Sequence, residues 1–376
     1  MKFVVSSTDL LNHLQAVSRV ISTKNTLPIL DNFLFNLKDN ELVITASDLE
    51  STLTTRMDLD NTSGGGLVAL PAKILTDTLR EFPEQPLTFE ISEENYSVAI
   101  TTENGKFNVV GRSGEDFPQY PVLKDDIKIT VKMSADIMLN GISRTIFATA
   151  DDELRPVMNG IFLDFTPDNM IFVASDAHKL VRYKRFDVKT EEQSSFILPK
   201  KPASLLRNIL AREKGDVIVE FDDKNALFTL TDYKLVCRLV EGNYPNYSSV
   251  IPADNPNKLV IDRLDIINSL KRVSVFSSQA SNLVKLELAE NQITTSAQDI
   301  DFSISAYERL QCQYEGDKME IGFKSTFLIE ILNNLASREV IMELSDPSRA
   351  GLLLPAEKES DEEDLLMLLM PMMINV

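Results

Sequence analysis

Three kinds of residue cluster in this sequence have side chains suited to chemistry. Asp176-Ala177-His178 places a carboxylate and an imidazole close together, as a metal site requires. Two acidic runs, at 151–153 and 361–364, offer oxygen ligands for a hard cation. Gly64–Gly66 is a glycine run of the kind that can approach a phosphate. Whether these clusters form sites decides if the protein is an enzyme, a metalloprotein or neither.

None of the clusters carries the rest of its site. The chain has two histidines, His13 and His178, and two distant cysteines, Cys237 and Cys312, which are too few for a transition-metal site. The acidic runs lack the spacing of a calcium loop, and the glycines are not followed by a Gly-Lys-Ser/Thr sequence. The sequence also has no Gly-x-Ser-x-Gly elbow. We therefore predict no metal, no cofactor and no catalytic residue, and keep an enzyme as the less favoured alternative.

Composition restricts the compartment and the class of partner. Of the 376 residues 43% are hydrophobic, and the formal net charge is −19. Two isolated thiols and the absence of an apolar leader favour the cytoplasm, and no segment approaches the roughly 20 apolar residues that span a membrane. The apolar segment 365–374 is half that length and is predicted to be a buried strand. The acidic charge argues against a nucleic-acid partner unless the charges are segregated.

A repeat of about 128 residues organises the chain. Ser47 and Ser175, each at the end of a predicted strand, are 128 positions apart, and so are Pro71 and Pro199, each at the start of a predicted helix. A third copy is weaker but keeps the amphipathic helix, with Ile266 and Leu270 in its apolar stripe. The predicted fold is therefore α+β, with three tandem copies of a domain built from two helices on antiparallel sheet.

Polar stretches divide the copies into predicted domains at residues 1–125, 126–254 and 255–376. A tandem of such domains exposes sheet edges at both ends of the chain, and closure into a ring is one way to remove them. An open scaffold that binds only proteins is the alternative, and the repeat alone does not separate the two.

Charge is distributed unevenly over the repeat. The predicted helices carry most of the basic residues on their polar faces, whereas acidic residues lie mainly in predicted strands and loops. If the helices share one side, that side is basic and can follow a phosphate backbone without reading bases. The alternative is that these are ordinary solvated residues. The helical basic residues are Arg19, Lys73, Arg80, Arg144, Lys200, Lys201, Arg207, Arg212, Lys271, Arg272, Lys324 and Arg338.

Several motifs together resemble one family. Their order and spacing are similar to those of the bacterial DNA sliding clamp, the beta subunit of the replicative polymerase, over essentially the whole chain. The resemblance implies a head-to-tail homodimer of three-domain subunits that closes around duplex DNA and tethers polymerase, clamp loader and repair polymerases through short linear motifs. It implies a processivity factor and no enzyme. The motifs are Thr26–Leu30, Gly111–Pro118, Ala174–Leu180, Leu239–Tyr247, Met319–Phe323 and Met370–Met372.

The resemblance also implies a cleft that receives partner peptides between the second and third domains. Such a cleft is expected to be apolar with a few polar anchors, and methionine suits a surface that accepts several peptides. Ala177 stands where the family usually has Gly, Lys179 where it usually has Arg, and Ser249 where Arg is common, so peptide preference is open. The matching positions are Met158, Ser175, Ala177, His178, Lys179, Leu180, Pro245, Val250, Phe327, Leu368, Leu369, Met370, Pro371 and Met372.

Two further surfaces follow from the resemblance. A dimer seam would bring Phe107 and Val109 of one subunit against Val275 and Phe276 of the other, the alternative being that these four lie in domain cores. Asp152 falls where a neutral residue is expected, so it is not assigned to the DNA-facing surface, and the acidic segment Glu357–Asp364 is left without a role. The basic positions expected to face DNA are Lys24, Lys73, Arg80, Lys200, Lys201 and Arg207.

Overall fold

The computed structural model describes residues 1–124 and 127–374, so the predicted boundary at 125/126 lies outside the described residues. Within the described part each predicted domain carries two α-helices. Side-chain caps start three of them: Ser6 accepts a hydrogen bond from the backbone N–H of Asp9, Ser134 from that of Ile137, and Asp262 from those of Leu264 and Asp265. The helices are α1 Ser7–Val17, α2 Ala72–Arg80, α3 Ala135–Thr145, α4 Lys200–Leu210, α5 Arg263–Val273 and α6 Ser325–Asn333.

Apart from short 3₁₀-helical turns, the remaining regular structure is β-strand, and the strand pairs within the described residues are antiparallel, as predicted. The strands are β1 Lys2–Ser6, β2 Asn32–Lys38, β3 Glu41–Ser47, β4 Ser51–Asp58, β5 Thr62–Ser63, β6 Gly66–Pro71, β7 Pro86–Ile91, β8 Ser97–Thr101, β9 Lys106–Val110, β10 Arg112–Ser113, β11 Ile129–Ser134, β12 Gly160–Phe165, β13 Met170–Ser175, β14 Lys179–Arg185, β15 Ser194–Pro199, β16 Asp216–Phe221, β17 Asn225–Thr229, β18 Tyr233–Arg238, β19 Asn257–Asp262, β20 Leu283–Ala289, β21 Gln292–Asp299, β22 Ile304–Gln311, β23 Gln313–Glu315, β24 Met319–Lys324, β25 Glu339–Leu344, β26 Gly351–Pro355 and β27 Glu363–Leu369.

These elements form two compact units, each with two sheets. The first unit comprises residues 1–140 and 201–239, and the second comprises 141–200 and 240–376, so the second predicted domain is divided between them. In the first unit the sheets have the orders β5-β1-β7-β8-β9 and β10-β6-β2-β3-β4-β18-β17-β16-β11. In the second unit the orders are β15-β12-β13-β14-β27-β26-β25-β19-β23 and β22-β21-β20-β24.

Each nine-stranded sheet is continuous across a repeat junction. In the first unit β4 pairs with β18, which places Leu53 opposite Leu235. In the second unit β14 pairs with β27, which places Val181 opposite Met367. All four side chains are buried, so a register slip by one residue would turn apolar side chains out of the core. The division into two units, rather than three, reflects these shared sheets.

Helices cover the sheets in pairs. In the first unit α1 and α2 pack on each other and on the strands β2, β3 and β4, with Leu10, Leu14 and Leu79 fully buried at the contact. In the second unit α5 packs on α6 and on β21 and β22. The stripes at helical spacing thus face the core, and Lys73, Arg80, Lys271 and Arg272 on the same helices are exposed.

The C-terminal strand differs from its prediction. A buried strand was expected over residues 365–374, but β27 ends at Leu369, and Met370 and Met373 are exposed. The segment leaves the sheet because its next hydrogen bonds go elsewhere: the N–H of Met370 donates to His178 O at 2.8 Å, and that of Met372 donates to Gly322 O at 2.8 Å. The prediction was therefore right for the first half of the segment and wrong for the second.

The acidic segment Glu357–Asp364 has a structural role in the second unit. Glu363 is buried and accepts a hydrogen bond from the Tyr183 hydroxyl at 2.7 Å. It also lies 3.4 Å from both Arg144 and Arg185. Burial raises the pKa of Tyr183 to about 12, so the phenol keeps its proton and donates. The segment therefore ties β27 to helix α3 and strand β14 by a buried charge network.

Glu363→Gln should lower the unfolding free energy by about 3 kcal/mol, because it leaves Arg144 and Arg185 without a buried counter-charge. The measurement is the shift of the urea unfolding midpoint. Glu359→Gln is the matched control, since Glu359 pairs with the same Arg144 at 2.6 Å but has an exposed side chain. The control should cost less than about 1 kcal/mol. Equal losses from the two substitutions would contradict the assigned role.

Candidate functional site

A tight turn between β13 and β14 forms one corner of the candidate cleft in the second unit. The Ser175 hydroxyl donates to Lys179 O at 2.9 Å and accepts from the N–H of Ala177 at 3.2 Å. The Asp176 carboxylate accepts from the N–H groups of His178 and Lys179, both at 2.9 Å. Ala177 has φ +74°, a left-handed conformation that favours glycine and that an alanine adopts at a cost.

The first unit contains the same turn, between β3 and β4. The Ser47 hydroxyl donates to Ser51 O at 3.3 Å and accepts from the N–H of Leu49, and Asp48 accepts from the N–H groups of Glu50 and Ser51. Leu49 has φ +77°. The repeat recognised from the 128-residue spacing is therefore preserved down to individual hydrogen bonds.

A buried cation joins this corner of the cleft to helix α6. The Lys179 ammonium lies 3.0 Å from Asp176 and 2.9 Å from Glu330, and it sits 4.5 Å from the centre of the Phe327 ring. The Lys324 ammonium lies at the same distance from that ring. His178 is exposed and stacks on Phe327 at 5.7 Å. Because Asp176 and Glu330 neutralise Lys179, the positive charge left beside the Phe327 ring is that of Lys324.

The floor of the cleft is the face of the sheet formed by β13, β14, β26 and β27. Buried aliphatic side chains line it, and a loop over residues 241–256 carries two tyrosines onto it. Tyr244 stacks on Phe162 at 4.9 Å and Tyr247 lies 6.2 Å from the same ring. The floor and its cover are Ile171, Val173, Leu180, Ala350, Leu352, Leu366 and Leu368, with Phe162, Tyr244, Tyr247, Ile251 and Leu354.

The C-terminal tail forms the opposite lip. Its two backbone hydrogen bonds, to His178 and Gly322, hold it between the β13–β14 turn and strand β24, which precedes α6. Gly322 has no substitute here, because a Cβ would lie 2.7 Å from Met372 O. Met370 is exposed, and Pro371 and Met372 are half-buried. The tail thus presents flexible apolar side chains to solvent, rather than filling a core.

The predicted cleft residues lie on the floor, the corner turn, the tail and the covering loop, or beside them. Ser175, His178, Lys179, Phe327 and the tail meet as described, and Leu180, Leu368 and Leu369 belong to the buried strands beneath. Pro245 and Val250 are exposed on the covering loop, and so is Ser249. Met158 is buried at the end of a helical turn, Pro156–Met158, whose Val157 lies beside Gly242 of the covering loop.

The aromatic residues that cover the cleft floor, and Glu330, which pairs with Lys179, were not assigned from the sequence. Phe162, Tyr244 and Tyr247 were not assigned, although both tyrosines stand in the Leu239–Tyr247 motif, whose Tyr-Pro-x-x pattern was the available signal. Glu330 and Lys324 lie on or next to α6, and nothing in their local sequence indicates that they face Lys179 and Phe327. Only the packing of α6 shows it.

The predicted DNA-facing residues differ in whether a neighbouring carboxylate neutralises their positive charge. In the first unit Lys24, Lys73 and Arg207 are exposed and form no ion pair with a described residue. Arg80 pairs with Asp77 at 3.0 Å, and the Lys201 ammonium contacts Asp48 and donates to Val20 O. In the second unit Lys200 pairs with Asp151 at 2.7 Å. Half of the predicted set is therefore partly neutralised by neighbouring carboxylates.

The predicted dimer residues lie on or beside sheet edges. Phe107 and Val109 belong to β9, the edge strand of its sheet, and Phe107 is exposed while packing edge-on to Phe82 at 5.0 Å. In the second unit Val275 and Phe276 are exposed on a helical turn, Ser274–Phe276. The alternative that these are core residues does not hold for these three exposed side chains.

A second apolar edge went unrecognised in the sequence. Strand β22 is the edge of its four-stranded sheet, and it and the turn before it expose Ile300, Phe302, Ile304 and Tyr307. Bare strand edges with apolar side chains are sites of association between chains. The available signal was the alternation of apolar Ile300, Phe302 and Ile304 with polar residues across a turn and into a strand.

Comparison with known proteins now identifies the family. Three family models match the chain: the DNA polymerase III beta subunit N-terminal domain over residues 1–121, the central domain over 132–246 and the C-terminal domain over 248–373. The chain belongs to the DNA polymerase III beta subunit family. It is therefore a non-enzymatic processivity factor of DNA replication, as the sequence predicted. Its partners are DNA, a second copy of itself, the polymerase and the clamp loader.

Individual relatives agree over the full length. The beta sliding clamp of Pseudomonas putida is 26% identical and covers 99% of this chain and 100% of its own, and that of Staphylococcus aureus is 25% identical, covering 96% and 97%. The DnaN sliding clamp of Pseudomonas aeruginosa bound to griselimycin superposes with a TM-score of 0.93 at 24% identity. That of Bartonella birtlesii, also bound to griselimycin, has a TM-score of 0.91 at 27% identity. Both structures cover 100% of each chain.

The described residues contain no membrane-spanning helix and no group of metal-binding side chains. Within residues 1–124 and 127–374 no helix is long and apolar enough to cross a membrane. No group of three or more histidine, cysteine or acidic side chains in the same described residues is arranged to hold a metal ion.

Proposed function

We propose that the chain acts in the cytoplasm as a three-domain subunit, with domains at 1–125, 126–254 and 255–376, and that it holds partner proteins through the cleft in its second unit. The observation that carries this proposal is the apolar floor of β13, β14, β26 and β27, which remains bordered by exposed apolar residues after the chain has folded. Encircling DNA keeps a bound enzyme at high effective concentration, so release of the template does not end synthesis.

The cleft favours a short extended peptide with apolar side chains and an acidic group. Tyr244, Tyr247 and Met370 offer apolar contact above the floor, and methionine adapts to different side chains. The Lys324 ammonium beside Phe327, which pairs with no described carboxylate, attracts the acidic group of a peptide, and Lys179 borders the same ring. Because Lys179 also pairs with Glu330 and Asp176, it is held in place before a peptide arrives.

Val250→Asp should weaken binding of a partner peptide at least about tenfold, because it places a charge on the apolar lip of the cleft. The measurement is fluorescence anisotropy with a labelled peptide from the polymerase. Leu264→Asp is the matched control, since Leu264 is 56% exposed and Val250 is 55% exposed, and Leu264 lies on α5 outside the cleft. Unchanged affinity in Val250→Asp, or equal loss in both, would refute the cleft assignment.

The DNA-facing surface is proposed to include Lys24, Lys73, Arg80, Lys200, Lys201 and Arg207. Long-range attraction to phosphate needs charges that are not already neutralised, so Lys24, Lys73 and Arg207 are expected to contribute most. Arg80 has an exposed acidic neighbour, and such surface pairs are weak enough to exchange for a phosphate. Lys201 additionally holds Val20 O, which makes it partly structural.

The combined substitution Lys24→Glu, Lys73→Glu and Arg207→Glu should weaken DNA binding and make the slope of log affinity against log salt shallower by about 2 to 3. Binding to a closed circular duplex across a salt series measures both effects. Charge reversal at Lys38, Lys189 and Lys318, three exposed lysines outside the helices, is the control and should leave the slope largely unchanged. A slope that stays at the wild-type value in the first variant would overturn this surface.

The dimer seam is proposed to join β9 of one copy to β22 of the next. Phe107 and Val109 on β9 would meet Val275 and Phe276, and the exposed residues of β22 would extend the same apolar contact. Both strands are edges with unpaired backbone groups, so their pairing removes two exposed edges at once.

Val275→Asp should convert the dimer to a monomer of 42.2 kDa, because Val275 is 73% exposed in the single chain and would carry a charge into the seam. Size-exclusion chromatography with light scattering at micromolar concentration gives the mass. Leu154→Asp, at a residue that is 91% exposed and not on either edge strand, should remain dimeric. A dimeric Val275→Asp variant would exclude this seam.

A further inference from the structure

A second groove lies in the first unit, on the outer face of its nine-stranded sheet. It encloses a volume of about 310 Å³, within the range of small ligand and peptide sites. The strands β3, β4, β17 and β18 form its floor, and the segment 120–123 forms one wall. Nothing in the DNA-facing surface or the dimer seam accounts for it.

Strand pairing shows that this groove is the counterpart of the cleft in the second unit. Across the junction Val236 on β18 lies opposite Thr52 on β4, as Leu368 on β27 lies opposite Leu180 on β14. One strand further, Leu227 pairs with Val236 as Leu352 pairs with Leu368. Val43 is 128 positions before Ile171, which completes the floor.

The wall of the groove corresponds to the aromatic cover of the cleft. Phe117-Pro118-Gln119-Tyr120 matches Tyr244-Pro245-Asn246-Tyr247 residue by residue at a spacing of 127. Tyr120 and Val122 line the groove, and both are exposed. The first repeat therefore has the floor, the turn and the aromatic cover from which the cleft of the second repeat is built.

The two sites differ in polarity. The positions of the groove that correspond to Leu180, Arg182 and Leu366 of the cleft are occupied by Thr52, Thr54 and Lys234. In the cleft Arg182 is neutralised by Asp364 at 2.7 Å. Lys234 is exposed and forms no ion pair with any residue in the described ranges, so the middle of the groove carries an unmatched positive charge.

The other lysine that lines the groove, Lys128, is neutralised by a carboxylate. Lys128 pairs with Glu220 at 2.9 Å, and both side chains are partly buried. Val43, Leu227 and Val236 thus offer apolar contact around Lys234, the one cation of the described lining that has no ion pair with a described residue. The partner that fits is an extended segment with apolar side chains on either side of one carboxylate.

We propose that this groove is a second peptide-docking site, which takes an extended apolar segment carrying one acidic side chain placed beside Lys234. The site makes the chain able to hold two short linear motifs at once, one in each unit. Its selectivity differs from that of the cleft because the acidic group is read in the middle of the floor rather than at the end near Phe327.

The test uses the full-length chain and a fluorescein-labelled hexapeptide with two leucines and one phenylalanine around a single glutamate. The cleft is first disabled by His178→Asp with Val250→Asp, both at exposed residues. This variant should still bind about one probe per chain. Adding Lys234→Glu should weaken that remaining binding about fivefold or more, whereas Lys38→Glu, the same charge change at an exposed lysine outside the groove, should not.

Charge exchange separates recognition from general damage. A probe with lysine in place of glutamate should bind the Lys234→Glu variant more tightly than the parent with the intact Lys234. Val122→Asp, at an exposed residue of the wall, should weaken both probes. If the cleft-disabled chain binds no probe, or if its binding ignores both Lys234→Glu and the exchanged probe, the second site does not exist. A probe that binds only the intact cleft supports the proposed function and overturns this inference alone.

Discussion

Antiparallel pairing across each repeat junction is the interaction on which the other features of the chain depend. β4 pairs with β18 in the first unit and β14 pairs with β27 in the second, so each junction is the interior of a sheet. A strand buried on one face has its register set by its apolar side chains, and no edge is left at the junction. The cleft and the groove both lie on these shared sheets, and β9 and β22, where we propose contact between copies, are edge strands of the other two sheets.

The acidic and basic side chains are distributed according to this arrangement of sheets and helices. The chain has a net charge of −19, yet its proposed DNA-facing surface is basic because the helices carry lysine and arginine while many carboxylates are used elsewhere. Glu363 is buried among Arg144, Arg185 and Tyr183, and Asp48 and Asp176 hold turns and pair with lysines. Net charge is therefore a poor guide to the partner, and the local distribution of charge is a better one.

The repeat reuses one backbone with different side chains. The turns at Ser47 and Ser175 have the same hydrogen bonds and the same left-handed residue, although one holds Leu49 and the other Ala177. On the floors below them, leucines in one repeat stand where threonines and Lys234 stand in the other. Backbone geometry thus makes a groove at each junction, and side-chain chemistry decides what enters it.

The sequence by itself determined the three-fold repeat, the α+β class and the family, because apolar periodicity and turn residues at fixed spacing are local signals. Through the resemblance it also predicted that Phe107 and Val275 lie in the dimer seam and that the C-terminal tail borders the cleft. Tertiary structure alone decided that Met370 leaves the sheet, that Glu363 is buried with two arginines, and that Lys179 meets Glu330 on α6. These contacts join residues more than 100 positions apart, and such pairs depend on strand register and helix packing, which no local pattern encodes.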